Sequence, residues 1–256
     1  MTVQLVGPAF RPPPPAGTDH HATGAALAHF HRLEPEARLA RSLCAGACLL
    51  LPIDGMILLS SYRGRERLEP GMIAIRPNFD ARALRAGPGG AAWLQWPLDA
   101  DWSLGATYAV SEADRLLLLD ASDAAAARAQ LARFARNAPP YPALRLHWID
   151  DLHRAMLADP YLSISDWARA NRVSREATAR SFRAAYEVRP SRFRLELRAR
   201  TAWARIVASR DPLSQIALET GFADQSHMTR TVGWLTGCSP AAWRRPPRGD
   251  DFGSGA

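Results

Sequence analysis

The segment from Ser163 to Trp243 carries one pattern twice, and that repeat leaves few folds open. In the first copy, SISDWARANRVSREATARSF, Ser163 opens a short helix as a capping box, with Asp166 in the place usually held by Glu. A tight turn at Asn171–Val173 follows, and Ser174 caps a longer helix reaching about Ala185. In the second copy, DPLSQIALETGFADQSHMTR, Pro212 takes the first helical position, Gly221-Phe222 makes the turn and Asp224 caps the longer helix. Trp167-Ala168 matches Ile216-Ala217 at an offset of 49 residues. Beyond the turn the offset is 50, pairing Ser174 with Asp224, Arg180 with Arg230 and Phe182 with Val232. One extra residue in the second turn accounts for the shift. Between the copies, Leu195, Ala199, Ala202 and Ile206 form a continuous apolar stripe, so the segment that Pro190 begins reads as a single helix, with Ser191 to Ser209 about 28 Å long at 1.5 Å per residue. Two helix-turn-helix units on one rigid connector follow.

The N-terminal half follows a different rule. ALAHFHRL, ACLLLPIDGMILLSS, GMIAIRPN and AAWLQWPL are strand-like, with Asp54-Gly55, Pro70-Gly71 and Gly87-Pro88-Gly89-Gly90 as turn signals. Regular short strands suggest a small antiparallel barrel or sandwich. ASDAAAARAQLARFARN, near Ala121–Asn137, is helical in pattern and is stopped by Pro139-Pro140. The predicted fold class is α+β: an N-terminal small β-barrel, then an all-α domain of two helix-turn-helix units joined by a long helix. The expected divisions are a disordered lead-in at 1–20, a barrel with its C-terminal helix at 21–138, a helical domain at 141–248 and a polar tail at 249–256.

Charge is uneven. The 256-residue chain carries a net +7; residues 1–140 hold 14 Arg against 13 Asp+Glu, and residues 141–256 hold 18 against 12. The basic excess in the helical half fits a polyanionic partner. Three cysteines make neither a disulfide framework nor a four-cysteine zinc site. Without a membrane-length apolar run or a secretory leader, a cytoplasmic location is expected.

Residues from about Pro142 to Arg245 resemble the AraC/XylS family of bacterial transcription regulators. The Ile-Ala, Gly-Phe, Asp-Gln-Ser, Thr-Arg, Thr-Gly and Ser-Pro steps of DPLSQIALETGFADQSHMTRTVGWLTGCSPAAWRR fall in the family's order and spacing. The first unit departs more: Asn171-Arg172 replaces an apolar-Gly pair, Thr178 stands where Leu is common, and Glu187 where Gly usually ends the helix. Val232 and Gly233 depart in the second unit. The resemblance implies double-stranded DNA as partner, with RNA polymerase as a further one and no membrane. It implies a cupin-type barrel that binds a small effector or a second copy of the chain, and dimer contacts near Ala121–Asn137. It implies no enzyme activity and no cofactor.

On the first reading helix, Arg175, Glu176, Ala179 and Arg180 share one face. Arg180 is the base-reading candidate and Arg183 the phosphate clamp, while Glu176 can accept from cytosine. On the second, Gln225, Ser226 and His227 occupy the first turn, and Thr229 and Arg230 lie one turn on. The connector sets the two reading helices roughly one DNA turn, about 34 Å, apart. Arg244-Arg245 fit either phosphate or a helix-end ion pair. His29 and His31, with Glu34 and Glu36 nearby, resemble part of a cupin metal motif, but the later histidine is missing; no metal site is expected. Cys44 and Cys48 read as buried and inert. Trp93 and Trp96 fit either a ligand pocket or packing. A cupin-type metal enzyme with a basic helical appendage stays open as the alternative, as does a module whose basic helices bind a protein.

Overall fold

A computed structural model describes residues 29–98, 105–119, 140–141 and 147–244. The lead-in at 1–20, the alanine-rich segment at 121–137, Arg245 and the tail at 249–256 lie outside the described residues, as does most of the expected domain boundary. The N-terminal half is one seven-stranded antiparallel sheet. Its strands are β1 (His29–Leu33), β2 (Arg38–Cys44), β3 (Ala47–Ser61), β4 (Gly64–Leu68), β5 (Met72–Arg76), β6 (Asp80–Leu98) and β7 (Ala106–Ala109). They run in the order β1-β6-β3-β5-β7, with β2 also on β6 and β4 also on β3. The short helix α1 (Glu112–Leu119) follows.

Two of the expected turns are not turns. Asp54-Gly55 lies inside β3, and Gly87–Gly90 lies inside β6. Between the pairs Gly55↔Ala91 and Ile57↔Ala86, four residues of β6 face Met56 alone. This is a bulge, where an extra-residue insertion kinks a strand that continues. Gly55 has φ 67°, and a Cβ there would stand 2.2 Å from the Gly90 carbonyl oxygen. Glycine serves a close crossing of two strands here, not a chain reversal. Pro70-Gly71 does turn, with Gly71 at φ 93°. Alternation along β3 sends Leu50, Ile57 and Leu59 to one core with Leu68, Leu84 and Trp93, and Leu49 and Leu51 to another with Ile73, Ile75, Trp96 and Tyr108. The first core draws on both ends of β3 and β6, so the bent sheet curls over itself. Trp93 and Trp96 therefore belong to different cores.

The helical half contains α2 (Ile149–Ala158), α3 (Ile164–Ala170), α4 (Arg175–Tyr186), α5 (Pro190–Ala208), α6 (Leu213–Glu219), α7 (Gln225–Thr236) and α8 (Pro240–Trp243). Pro212 caps α6 rather than opening it, one residue before the expected place. The connector α5 has 19 residues and serves two cores. Phe193 and Leu197 pack with Ile149, Leu152, Met156, Phe182 and Tyr186 of the first unit. Ala199, Ala202 and Ile206 pack with Ile216, Phe222, Met228, Val232 and Leu235 of the second. No described helix is long and apolar enough to cross a membrane.

The two halves meet through two different contacts. Phe79, in the turn between β5 and β6, enters the core of the second unit and is 2% exposed. Its ring stands edge-on to Trp203 at 5.1 Å and to Trp243 at 5.8 Å, while the Arg200 guanidinium donates to the carbonyls of Asn78 and Phe79. Phe79 adopts φ 60°, a conformation that a bulky side chain holds only when its surroundings impose it. The second contact is polar. Arg65 donates twice to Asp150 at 2.9 and 2.7 Å, and the Tyr186 hydroxyl donates to the same carboxylate at 2.8 Å. Burial works against the charge on Asp150, yet the bonds from Arg65 and Tyr186 hold its pKa below the usual carboxylate range. His153 Nε2–H donates to the Tyr62 carbonyl at 2.8 Å, and its ring stacks on Tyr186 at 4.9 Å. Arg41 of β2 reaches Glu196 at 2.7 Å, and its backbone N–H donates to Glu187 at 3.0 Å.

Truncating Phe79 to Ala opens the second core at the junction. It is expected to cost about 3–5 kcal/mol of stability, read by urea denaturation of the full chain followed by tryptophan fluorescence. A loss below about 0.5 kcal/mol, the level of a surface change, would show that the ring is not part of that core. Burial lowers the His153 pKa to about 4, opposed by its bond to Tyr62 and by Asp150. The folded protein therefore binds this proton less readily than the unfolded chain, whose imidazole titrates near 6.5. The stabilising effect of neutral His153 is complete above about pH 6.5 and drains away as pH falls toward about 4, by roughly 3 kcal/mol in all. His153→Gln should flatten thermal stability over that window; an unchanged pH profile would place the titration elsewhere.

Candidate nucleic-acid interface

Each unit is built by the same backbone bonds. In the first turn, Asn171 N–H donates to the Trp167 carbonyl (3.0 Å) and Val173 N–H to Ala168 (3.0 Å). In the second, Thr220 N–H donates to Ile216 and Phe222 N–H to Ala217, both at 2.9 Å. Ser163 and Ser174 accept from the backbone N–H groups of Asp166 (3.3 Å) and Ala177 (3.1 Å), and Asp224 from that of His227 (2.7 Å). The capping oxygens satisfy donors that the first helical turn leaves open. Residues at equivalent places have equivalent burial: Ala168 and Ala217, Thr178 and Met228, Phe182 and Val232 are all within 2% of fully buried. Thr178 satisfies its buried hydroxyl by donating to the Ser174 carbonyl at 2.8 Å.

Left-handed residues also match. Arg172 (φ 56°) answers to Gly221 (φ 72°), and Glu187 (φ 55°) to Gly237 (φ 74°). The Gly-Phe pair now has a reason. A Cβ on Gly221 would stand 2.0 Å from Cε1 of Tyr161, whose hydroxyl donates to the Glu219 carbonyl at 2.7 Å. Tyr161, leading into the first unit, thus seats on the turn of the second, and Phe222 inserts into the core beside it.

On α4, Arg175, Glu176, Ala179, Arg180 and Arg183 are all exposed along one stripe. On α7, Gln225, Ser226 and Arg230 are exposed, while His227 and Thr229 are half-buried. His227 lies edge-on against Phe222 at 5.2 Å. None of Arg175, Arg180, Arg183 and Arg230 forms an ion pair with a described residue, whereas Arg169 pairs with Asp166 at 2.9 Å. Arg244 donates to the Asp211 carbonyl and so has a structural partner.

Four of the five first-unit candidates (Arg175, Ala179, Arg180 and Arg183) line one cleft of about 1070 Å³ between α3, α4 and the start of α5. Glu176 and the second-unit candidates are outside it. The cleft adds three arginines that sequence reasoning passed over: Arg189, Arg194 and Arg198. None of its lining residues is acidic. Arg194 donates to the Leu162 carbonyl; Arg198 donates to Pro160 (3.1 Å) and Gly221 (3.2 Å) and lies over the Tyr161 ring. Burial, and then neighbouring Arg194, depress the Arg198 pKa. Their signal was the four-residue spacing of Arg194 and Arg198, which the apolar stripe of the same helix obscured. Six guanidinium groups around one concavity with no lining carboxylate focus positive potential outward.

The described residues of the β half hold no comparable cluster of arginines. His31 stacks on Trp93 at 5.0 Å, His29 is exposed, and Glu36 pairs with Arg85. No group of three or more His, Cys, Asp or Glu able to hold a metal ion occurs among the described residues. Burial pushes the Cys44 and Cys48 thiols up, and both are free.

Residues 167–246 match the family model described as "Helix-turn-helix domain". No curated protein matches the chain. Among solved structures, the chain is similar to unsaturated fatty acid-bound ToxT from Vibrio cholerae, at 10% identity over 85% of this chain and 94% of that one, TM-score 0.39. It is also similar to the C-terminal domain of AraT, a response regulator from Geobacillus stearothermophilus, at 18% identity over 43% and 95%, TM-score 0.37. A third is a transcriptional regulator of the AraC-type DNA-binding domain-containing proteins from Chromobacterium violaceum, at 29% identity over 36% and 83%, TM-score 0.33. These TM-scores are low, so the assignment stands on the sequence match.

Gly233 occupies on α7 the place that Arg183 holds on α4, and a Cβ there would meet only the Cys238 carbonyl oxygen at 3.8 Å. Gly233→Ala is expected to stabilise the chain by about 0.5–1 kcal/mol through helix propensity, visible as a raised urea midpoint at unchanged slope. A lowered midpoint would mean that the helix end needs glycine. The shared turn bonds, capping residues and left-handed positions of both units, with the family match, make residues 167–246 of this chain a helix-turn-helix domain.

Proposed function

We propose that the chain regulates transcription from a bacterial promoter in the cytoplasm, reading DNA with both units. The observation that carries this reading is the pair of capped helices on one 19-residue connector, each presenting exposed arginine without an ion pair to a described residue. Arg180 and Arg230 read base edges, with Arg175, Glu176 and Ala179 beside the first and Gln225, Ser226, His227 and Thr229 beside the second. Arg183 and the added cleft arginines hold phosphates and supply the salt-dependent part of affinity. The barrel, assigned to residues 21–138, takes a small effector or a second copy of the chain, and the helical domain at 141–248 binds DNA and meets RNA polymerase. Effector and DNA then change each other's affinity by the same factor.

Genomic fragments retained by the full-length chain at physiological salt, with excess nonspecific competitor, test the reading. Enrichment of a few upstream regions sharing a motif supports it. Featureless retention, with and without cell metabolites, would count against it. On an enriched site, Arg180→Ala and Arg230→Ala should each cost about 1–3 kcal/mol and relax preference at one position. Selectivity unchanged in both would mean that other faces meet the bases.

A further inference from the structure

The exposed stripe of α4 does not end at solvent. It runs Arg175, Glu176, Ala179, Arg180, Arg183, Ala184, and Ala184 lines two recesses at once. One is the arginine cleft described above. The other is a smaller recess of about 110 Å³ between the end of α4 and the β half, where Arg38, Arg65 and Arg85 approach Ala184, Ala185 and Glu187. The Ser60 hydroxyl donates to the Ala185 carbonyl at 2.9 Å and holds the sheet against this helix end. The face assigned to DNA therefore continues onto the barrel.

The charges in this recess are not all answered. Arg65 is held by Asp150, and the Glu187 carboxylate accepts the Arg41 backbone N–H. Arg38 of β2 stands directly opposite Arg85 of β6 in the ladder. Like charges in that position repel. Glu36 pairs with Arg85, but Arg38 is exposed and pairs with no carboxylate among the described residues. Arg38 is thus the member of the pair without a carboxylate among the described residues, and the adjoining stripe is the one that faces a polyanion.

We propose that the barrel binds DNA directly: Arg38 contacts a backbone phosphate beside the C-terminal end of the first reading helix, in line with Arg183. This rests on the DNA-binding reading above and adds the β half to the interface. Such a contact carries no sequence information, but it adds one released counterion and fixes how the reading helix lies along the groove.

The test is fluorescence anisotropy of full-length protein on a labelled random-sequence duplex over roughly 50–200 mM KCl. Against wild type, Arg38→Ala should make the log K versus log salt slope shallower by about 0.9, as Arg183→Ala does, and Arg38→Lys should keep it. A shallower slope for Arg183→Ala with an unchanged slope for Arg38→Ala overturns the proposal and leaves the regulator reading intact. A flat slope for the wild type overturns both. Thermal melts with inorganic phosphate at matched ionic strength form the second arm. A rise in melting temperature lost in Arg38→Ala, with the DNA slope unchanged, assigns the recess to a free small anion and removes the DNA contact.

Discussion

Phe79 is the contact on which the arrangement of the halves depends. The β5–β6 turn holds it at φ 60° and sets its ring edge-on against both Trp203 and Trp243, which also meet each other edge-on. Such a backbone costs roughly 1–3 kcal/mol, which burial of a large aromatic side chain among other rings offsets. The second helix-turn-helix core is thus completed by a residue from the β half. The first unit meets the same half through a polar seam, Arg65–Asp150–Tyr186 with His153 on the Tyr62 carbonyl. Because the sheet touches both units and α5 spans them, the separation of α4 and α7 is held from two sides.

The units share a plan but answer it with different residues. In the second, Tyr161 presses on the turn and only glycine fits at 221. In the first, Arg172 takes the left-handed position as an exposed side chain. Glu187 takes the left-handed position that ends α4, and its carboxylate accepts from the Arg41 backbone N–H. The departures from the family pattern in the first unit therefore fall partly at the seam, where a side chain in place of glycine gives the sheet something to hold. Thr178, in place of Leu, keeps its hydroxyl bonded within the helix.

The distribution of partners gives the molecule its electrostatic character. Asp150, Glu187 and Glu196 turn toward the β half and bond with arginine side chains or backbone there. The arginines of the α4 stripe form no ion pair with a described residue, and the cleft beside them has no acidic lining. Other carboxylates of the helical half, Asp151, Asp166, Asp211 and Glu219, pair with arginines of that same half, away from the cleft.

Much of the helical half was legible in the sequence, because helix periodicity, capping residues and turn glycines are local signals. The two units, the extent of α5 to within a residue or two, the caps of α4 and α7 and the single extra residue of the second turn could be read this way. The β half was legible only as strands. Asp54-Gly55 and Gly87–Gly90 read as reversals because glycine in a left-handed conformation marks both a turn and a bulge, and only pairing across the sheet separates them. The exposed faces of α4 and α7 could be listed from the sequence, but not the cleft that joins Arg189, Arg194 and Arg198 to the first. Nor could the insertion of Phe79 or the placement of Arg38 beside Ala184 be foreseen, since these contacts join residues more than a hundred positions apart. Local chemistry determined which segments are helices and where they start; the packing of sheet against helices decided which arginines share a surface, because no periodicity encodes the meeting of distant segments.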